Sequence, residues 1–476
     1  MAKFKSNERD AKHELSRRSL IKWSLATGAA LGVSRSRIYE VLEKTAGRGV
    51  AFAAENPCAR SVHLVAGNGG LAWFQLLWPH VEIAGANNPG FAWHKNGTPN
   101  MAPAGTDKPL WIGPDTPFAS LPADRQPTLF VCGQNQTHTS EPDSALNFGS
   151  SNLLAAATAM QSTLPAVVPA IRISNDNGAG VFGTHPGASA VATIQSPDGL
   201  VDLFNSAASQ AGGLLSDLAG DNATLYKQKY QTFVQLNAAS GNSTNTATYL
   251  TGQNAASFLG TNLAAQLAVT PADLARYGIN AGTRAAVATI GRMFIIAVKA
   301  FKLGLTNCIA LDVFRDDPHG AFGGGDNGTN ITSTVPALKA VFDGFMADLQ
   351  ANSDESGTAM SETTMFTIHG DTTKQPRDRD GWPDGTQDGS NVCYMYGARY
   401  LKTGWFGRYP AAGNVMGLDP ATGNEVGYNN QATARGAAAA ALFAIARADK
   451  RRADEALQAA NVAAFEYSGL INQSLT

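Results

Sequence analysis

Thiols are scarce in this sequence. Its four cysteines, Cys58, Cys132, Cys308 and Cys393, lie far apart with no Cys-x-x-Cys spacing, which excludes a zinc ribbon or a clustered thiolate site and leaves disulfides open. Charge is sparse too. Only 16% of the residues are Asp, Glu, Lys or Arg and the formal net charge is -2, without the basic surplus of a nucleic-acid binder. The one glycine turn of nucleotide-binding type, Gly67-Asn68-Gly69-Gly70, lacks the lysine of a P-loop and the spacing of a dinucleotide fingerprint. It reads as a turn where backbone passes closely. No repeat of solenoid period is present. What remains is a chain of 476 residues, 44% hydrophobic, long enough for one large domain or two ordinary ones.

The N-terminus carries a paired arginine. Residues 16 to 22 read Ser-Arg-Arg-Ser-Leu-Ile-Lys, and the apolar segment after them, Trp23 to Val33, is too short to span a bilayer permanently. With Arg17 and Arg18 in register with Leu20-Ile21 and Lys22, this resembles a twin-arginine export signal, and Ala51-Phe52-Ala53 has the small-x-small pattern of a cleavage site. The alternative is a basic amphipathic helix. The expectation is a leader and spacer over 1–53, the twin-arginine translocase as a transient partner, a periplasmic or secreted destination, and no stable transmembrane span.

Over 54–476 apolar runs of strand length alternate with helical patterns, which predicts a single α/β domain. Strands are expected at 61–66, 128–132, 164–173, 309–314, 364–368 and 392–396. Helices are expected at 144–160, 285–303, 333–350 and 433–465, with a loop at 174–200 and a helical insertion or cap over about 200–285. Ser140 and Asp143 have capping-box spacing before the first of these helices.

Ligand-type residues gather where strands end. After Phe314 come Asp316, Asp317, Pro318 and His319 and then a glycine cluster. After Cys132 come Thr137, His138, Thr139 and Ser140. After Ile368 come His369 and Asp371, then Arg377, Asp378, Arg379, Asp380 and Trp382. Strand ends are where α/β sheets build sites. Asp316 and Asp317 also have a purely structural reading, as turn residues or a calcium-like loop beside Pro318, and Ser140 reads first as a helix cap.

The order of these landmarks resembles an exported sulfatase-like family of unknown function in the alkaline-phosphatase-like clan, over about residues 60–410. Members carry Asp-Thr-His where this chain has Asp317-Pro318-His319, and Ser-His-Phe where it has Thr137-His138-Thr139. An acid followed by Phe-Gly-Arg stands where this chain has Asp371-Thr372-Thr373, and Arg-Asp-His where it has Arg379-Asp380-Gly381. The resemblance implies a three-layer sandwich with a central, mostly parallel sheet, and metal-dependent hydrolysis of phosphate or sulfate esters. Asp317, His319, Asp371 and Asp380 would ligate zinc, manganese, magnesium or calcium. Thr137 and His138 would be catalytic, while Arg377 and Arg379 would pair with a small anionic ester. Two positions depart from the family: Gly69 replaces an acid, leaving Asn68 as the nearest oxygen ligand, and Gly381 replaces a histidine. His369 is a possible substitute ligand. The departures support an alternative, a catalytically degenerate binding or structural protein of the periplasm or cell surface.

Overall fold

The computed structural model describes residues 57–67, 69–80, 82, 102–134, 146–164, 166–174, 182–204, 263–315, 329–354, 357–370, 386–410 and 412–475. All of them belong to one compact unit, spanning Asn56–Lys227 and Leu250–Thr476. The leader and most of the predicted helical insertion lie outside the described residues.

Eight strands form the central sheet: β1 (Arg60–Ala66), β2 (Thr128–Gln134), β3 (Ala170–Ile173), β4 (Val191–Ile194), β5 (Cys308–Val313), β6 (Thr364–Gly370), β7 (Ser390–Tyr396) and β8 (Gly404–Phe406). Their order is β8-β2-β7-β6-β1-β5-β3-β4. β6, β1, β5, β3 and β4 pair in parallel, and β8 is parallel to β2; β7 alone runs against both of its neighbours. Every residue of β1, β6 and β7 is buried, as expected of strands covered on both faces.

The two faces of β1 differ. Val62 and Leu64 look toward a layer made of α1 (Leu71–Leu77), α6 (Ala285–Lys302) and α7 (Thr329–Ala351). Aromatic rings fill that layer: Phe366, level with Val62 on β6, stacks on Tyr396 at 5.6 Å and meets Phe342 of α7 at 5.8 Å. Phe342 is a hub, with Phe74, Trp78, Phe118 and Phe294 all within 6.2 Å between ring centres. The opposite face, through Ser61, His63 and Val65, meets α2 (Leu153–Gln161), where Leu154 packs on Val65 and Ala310. α9 (Asn430–Ile445) packs beside α2 on that face, offering alanines 437 to 441, all fully buried, so helix and sheet approach closely. The architecture is therefore three-layered, helices over a mostly parallel sheet. Among the described residues, no helix is long and apolar enough to cross a membrane.

Several predicted elements change. The helix expected from 144 begins only at Leu153, capped by Asn152, whose side chain accepts from Ala155 N–H at 3.0 Å; before it Asn147–Phe148 and Ser151–Asn152 form a small hairpin. The strand expected over 164–173 narrows to the four residues of β3. The stretch expected as loop contains β4 and the start of α3 (Pro197–Phe204). The predicted C-terminal helix divides into α9 and α10 (Lys450–Ala459), because Arg447 and Ala448 take left-handed backbone with φ of 52° and 74°.

Candidate functional site

β6, β1 and β5 are consecutive in the sheet and parallel, so their carboxyl ends lie side by side. The chain packs these exits backbone to backbone. Gly67 N–H donates to the Val313 carbonyl at 3.3 Å, and Gly70 sits so near β5 that a Cβ there would lie 2.1 Å from the Phe314 oxygen. Across β1, Gly370 has a φ of 142°, and its Cβ would lie 1.9 Å from the Ala66 oxygen. Only glycine fits at either place. The glycine turn after β1 thus lets the β1 and β5 exits pass closely, the close backbone passage expected of it from the sequence, and Gly370 does the same between β6 and β1.

The exit of β2 is tied to the same edge through β7. Asn391 is fully buried, and its Nδ2 donates to the Gly370 carbonyl at 2.7 Å and to the Gln134 carbonyl at 3.2 Å. Gly133 is held further by Tyr428, whose hydroxyl donates to its carbonyl, and by Thr433, whose Oγ1 accepts from its N–H at 3.3 Å. The backbones leading toward 135–145 and 371–385 are therefore fixed relative to each other.

The predicted site residues themselves, Thr137, His138, Asp317, His319, Asp371, Arg377, Arg379 and Asp380, lie outside the described residues, as do Asn68, Asp316, Gly381, Arg17 and Arg18. What is described is the strand ends that precede them: Gln134 stands three residues before Thr137, Val313 four before Asp317, and Gly370 immediately before Asp371. Among the described residues, no group of three or more His, Cys, Asp or Glu could hold a metal. The expected ligand set of Asp317, His319, Asp371 and Asp380 is, by its chemistry alone, a hard to borderline one.

His369 lies inside β6, fully buried, level with Val65 on the α2 side. Beside it is a polar column that the sequence reading missed. His63 Nδ1 is 2.7 Å from Thr367 Oγ1, and its Nε2 is 2.9 Å from Ser61 Oγ, which also accepts from Gln161 Nε2 at 3.0 Å. Complete burial, helped by the nearby His369, pushes the His63 imidazole down to about 3. A neutral ring suits two hydroxyls, donating from one nitrogen and accepting at the other, whereas an imidazolium would have to donate from both. Burial likewise pushes the Cys308 thiol up to about 12, despite a hydrogen bond with Ser61 that opposes the shift. All four cysteines are buried free thiols.

A second missed cluster stands at the β3 and β5 ends. Asp312 Oδ2 accepts from Ser174 Oγ at 2.5 Å and from Arg172 Nη2 at 2.9 Å, the Arg172 and Asp312 side chains being 10% and 7% exposed. The signal was available in the sequence: Ala-Ile-Arg-Ile and Ala-Leu-Asp-Val each place one charge inside an apolar strand, and buried charges of opposite sign occur as pairs.

Comparison with protein-family models, with curated proteins and with solved structures returned no match.

Proposed function

We propose that this chain is an exported protein of the alkaline-phosphatase/sulfatase-like type, whose carboxyl sheet edge carries a site for hydrolysis of a small phosphate or sulfate ester. The observation that supports it is the fusion of four strand exits into one edge: β6, β1 and β5 through Gly70 and Gly370, and β2 through Asn391. The residues that follow three of those exits are Thr137 and His138, Asp317 and His319, and Asp371 with Asp380. In this reading Thr137 is the nucleophile and His138 the adjacent base, while Arg377 and Arg379 pair with the ester oxyanion. A divalent cation held by Asp317, His319, Asp371 and Asp380 would supply Lewis-acid polarisation of the ester. Arg17 and Arg18 would direct export through the twin-arginine translocase to the periplasm or beyond.

A second reading is a degenerate member that binds without turnover, and Gly69 favours it. This glycine stands where the family carries an acid, and its φ of 81° is a backbone conformation that an aspartate adopts only with strain. Metal analysis of protein purified from the periplasm, with assays on aryl phosphate and aryl sulfate, separates the two. Stoichiometric metal and turnover, both lost in Asp317→Ala, support the hydrolase. A metal-free and inactive parent protein refutes it.

A further inference from the structure

We propose that His185 is a proton-operated latch, which clasps the 182–190 segment leading into β4 to the carboxyl end of α10 while its ring is charged and releases it when the ring is neutral. The ring stands between two carbonyl oxygens: Nε2 is 3.0 Å from the oxygen of Ala456, and Nδ1 is 2.8 Å from that of Pro186. A carbonyl oxygen only accepts, so each contact needs an N–H on the ring. Neutral imidazole has one N–H and imidazolium has two. The pose is therefore that of the cation. In either neutral tautomer a nitrogen lone pair would face a carbonyl oxygen, and one of the two contacts would be lost.

Both acceptors are held in place without the ring. His185, Pro186, Gly187 and Ala188 form a turn, closed by the Ala188 N–H donating to the His185 carbonyl at 3.0 Å, with Gly187 at a φ of 81°. Proline fixes the backbone ahead of that glycine, so the Pro186 oxygen is presented by the turn itself. Ala456 lies near the end of α10, where the carbonyls run short of partners and the helix dipole favours a cation. α10 has no basic residue of its own in its last turn. His185 supplies the charge from 271 residues away in the chain.

Little else ties this segment down. Among the described residues, its other side-chain hydrogen bonds to neighbouring elements are Thr184 Oγ1 to the Ser150 carbonyl and Ser189 Oγ to the Thr158 carbonyl, both long at 3.4 Å. No neighbouring charge duplicates the latch. The hairpin of Asn147–Phe148 and Ser151–Asn152 and helix α2, which carry those carbonyls, contain no titratable side chain. On α10, Lys450 pairs with Asp454, Arg451 with Glu455, and Arg452 with Asp449 at its N-cap. Imidazoles change charge between pH 5 and pH 8. The hold of the latch is thus present at the acid end of that range and is lost as the pH rises. The latch is independent of the hydrolase reading.

The experiment is amide hydrogen exchange of the full chain at pH 5 and pH 8, read by mass spectrometry on peptides covering 182–190 and expressed as protection factors, which removes the pH dependence of the exchange chemistry itself. Protection in the parent should be at least about threefold higher at pH 5, the factor that one cation at a helix carboxyl end supplies. His185→Ala should hold the segment loosely at both pH values, within about twofold of the parent at pH 8. His185→Lys keeps a charged donor at both pH values and should protect the segment at both, with an unchanged circular dichroism spectrum. Should His185→Ala fail to fold, the parent and His185→Lys decide. Equal protection of the parent at pH 5 and pH 8, a pH response in His185→Ala as large as the parent's, or a His185→Lys chain that loosens at pH 8 as the parent does overturns the proposal.

Discussion

Acid should unfold this protein partly through its buried imidazoles, and His63 permits the effect to be worked out. The ring has its ordinary value of 6.5 in the unfolded chain and about 3 in the fold, lowered first by burial and then by His369. The unfolded state therefore binds a proton first. The stabilisation of the neutral ring is fully present above pH 6.5 and is lost as the pH falls from there toward 3. Linkage gives a loss of about 2 kcal/mol between pH 7 and pH 5, with a slope near pH 5 of about 1.4 kcal/mol per unit. His80 behaves alike, lowered by burial to about 4 against the opposing charge of Glu82, and roughly doubles the total. The assay is urea unfolding at pH 7, 6 and 5 for the parent and for His63→Asn, which keeps a neutral polar group beside Thr367. The variant should start about 1–3 kcal/mol less stable at pH 7, then lose about 2 kcal/mol less than the parent on going to pH 5. Parallel stability curves for the two proteins, or an NMR titration placing the His63 ring near 6.5, would refute the reasoning.

Other consequences are equally direct. Gly70→Ala has ordinary backbone angles, so its cost is the collision with the Phe314 oxygen; it should destabilise by at least about 2 kcal/mol in urea melts. Gly187→Ala, with a φ of 81° and open space around its Cβ, should cost only about 1–2 kcal/mol. Phe342→Ala removes the ring at the centre of five aromatic contacts and should cost about 3–5 kcal/mol, read as a lower urea midpoint at an unchanged slope. Asn391→Asp sets a carboxylate against the Gly370 and Gln134 carbonyls in place of the shared amide donor. It should cost about 2–4 kcal/mol at pH 7 and speed amide hydrogen exchange at the ends of β2 and β6, whereas unchanged exchange there would mean that the bridge does not hold the edge.

The strands that pack at the centre of the sheet were legible because burial on both faces leaves an uninterrupted apolar run, as in Cys-Ile-Ala-Leu-Asp-Val of β5. β4 and β8 were missed for the converse reason: they are short strands at the two edges of the sheet, with too few residues to set a period. The break between α9 and α10 falls at Arg447 and Ala448, where no glycine or proline marks it. The usable signal was Asp449, whose side chain caps the next helix by accepting from Arg452 N–H at 3.2 Å. The site divides in the same way. Strand ends followed by acids and histidines could be read along the chain, but Arg172 with Asp312 and His63 with Thr367 are pairs formed across strands. Their partners stand 140 and 304 residues apart, a relation that only the sheet order supplies.

The antiparallel strand explains how the edge is closed. β2 and β6 both leave the sheet at this edge, and β7, lying between them, enters there. The regular ladder between β6 and β7 stops at Ile368 and Tyr394, short of Gly370, so the Gly370 carbonyl needs a partner from elsewhere. Between β7 and β2 the register shifts from Ser390 to Val392, an irregularity of the kind that re-aims a side chain. Asn391 is the residue at that shift. Its Oδ1 accepts from the N–H of Val392 at 2.7 Å, and its Nδ2 is left to serve both flanking carbonyls. A parallel strand at this position would end at the edge, as its neighbours do, and could not begin there with a side-chain donor. One reversed strand thus lets two exits, separated by a full strand width, be held by a single buried amide.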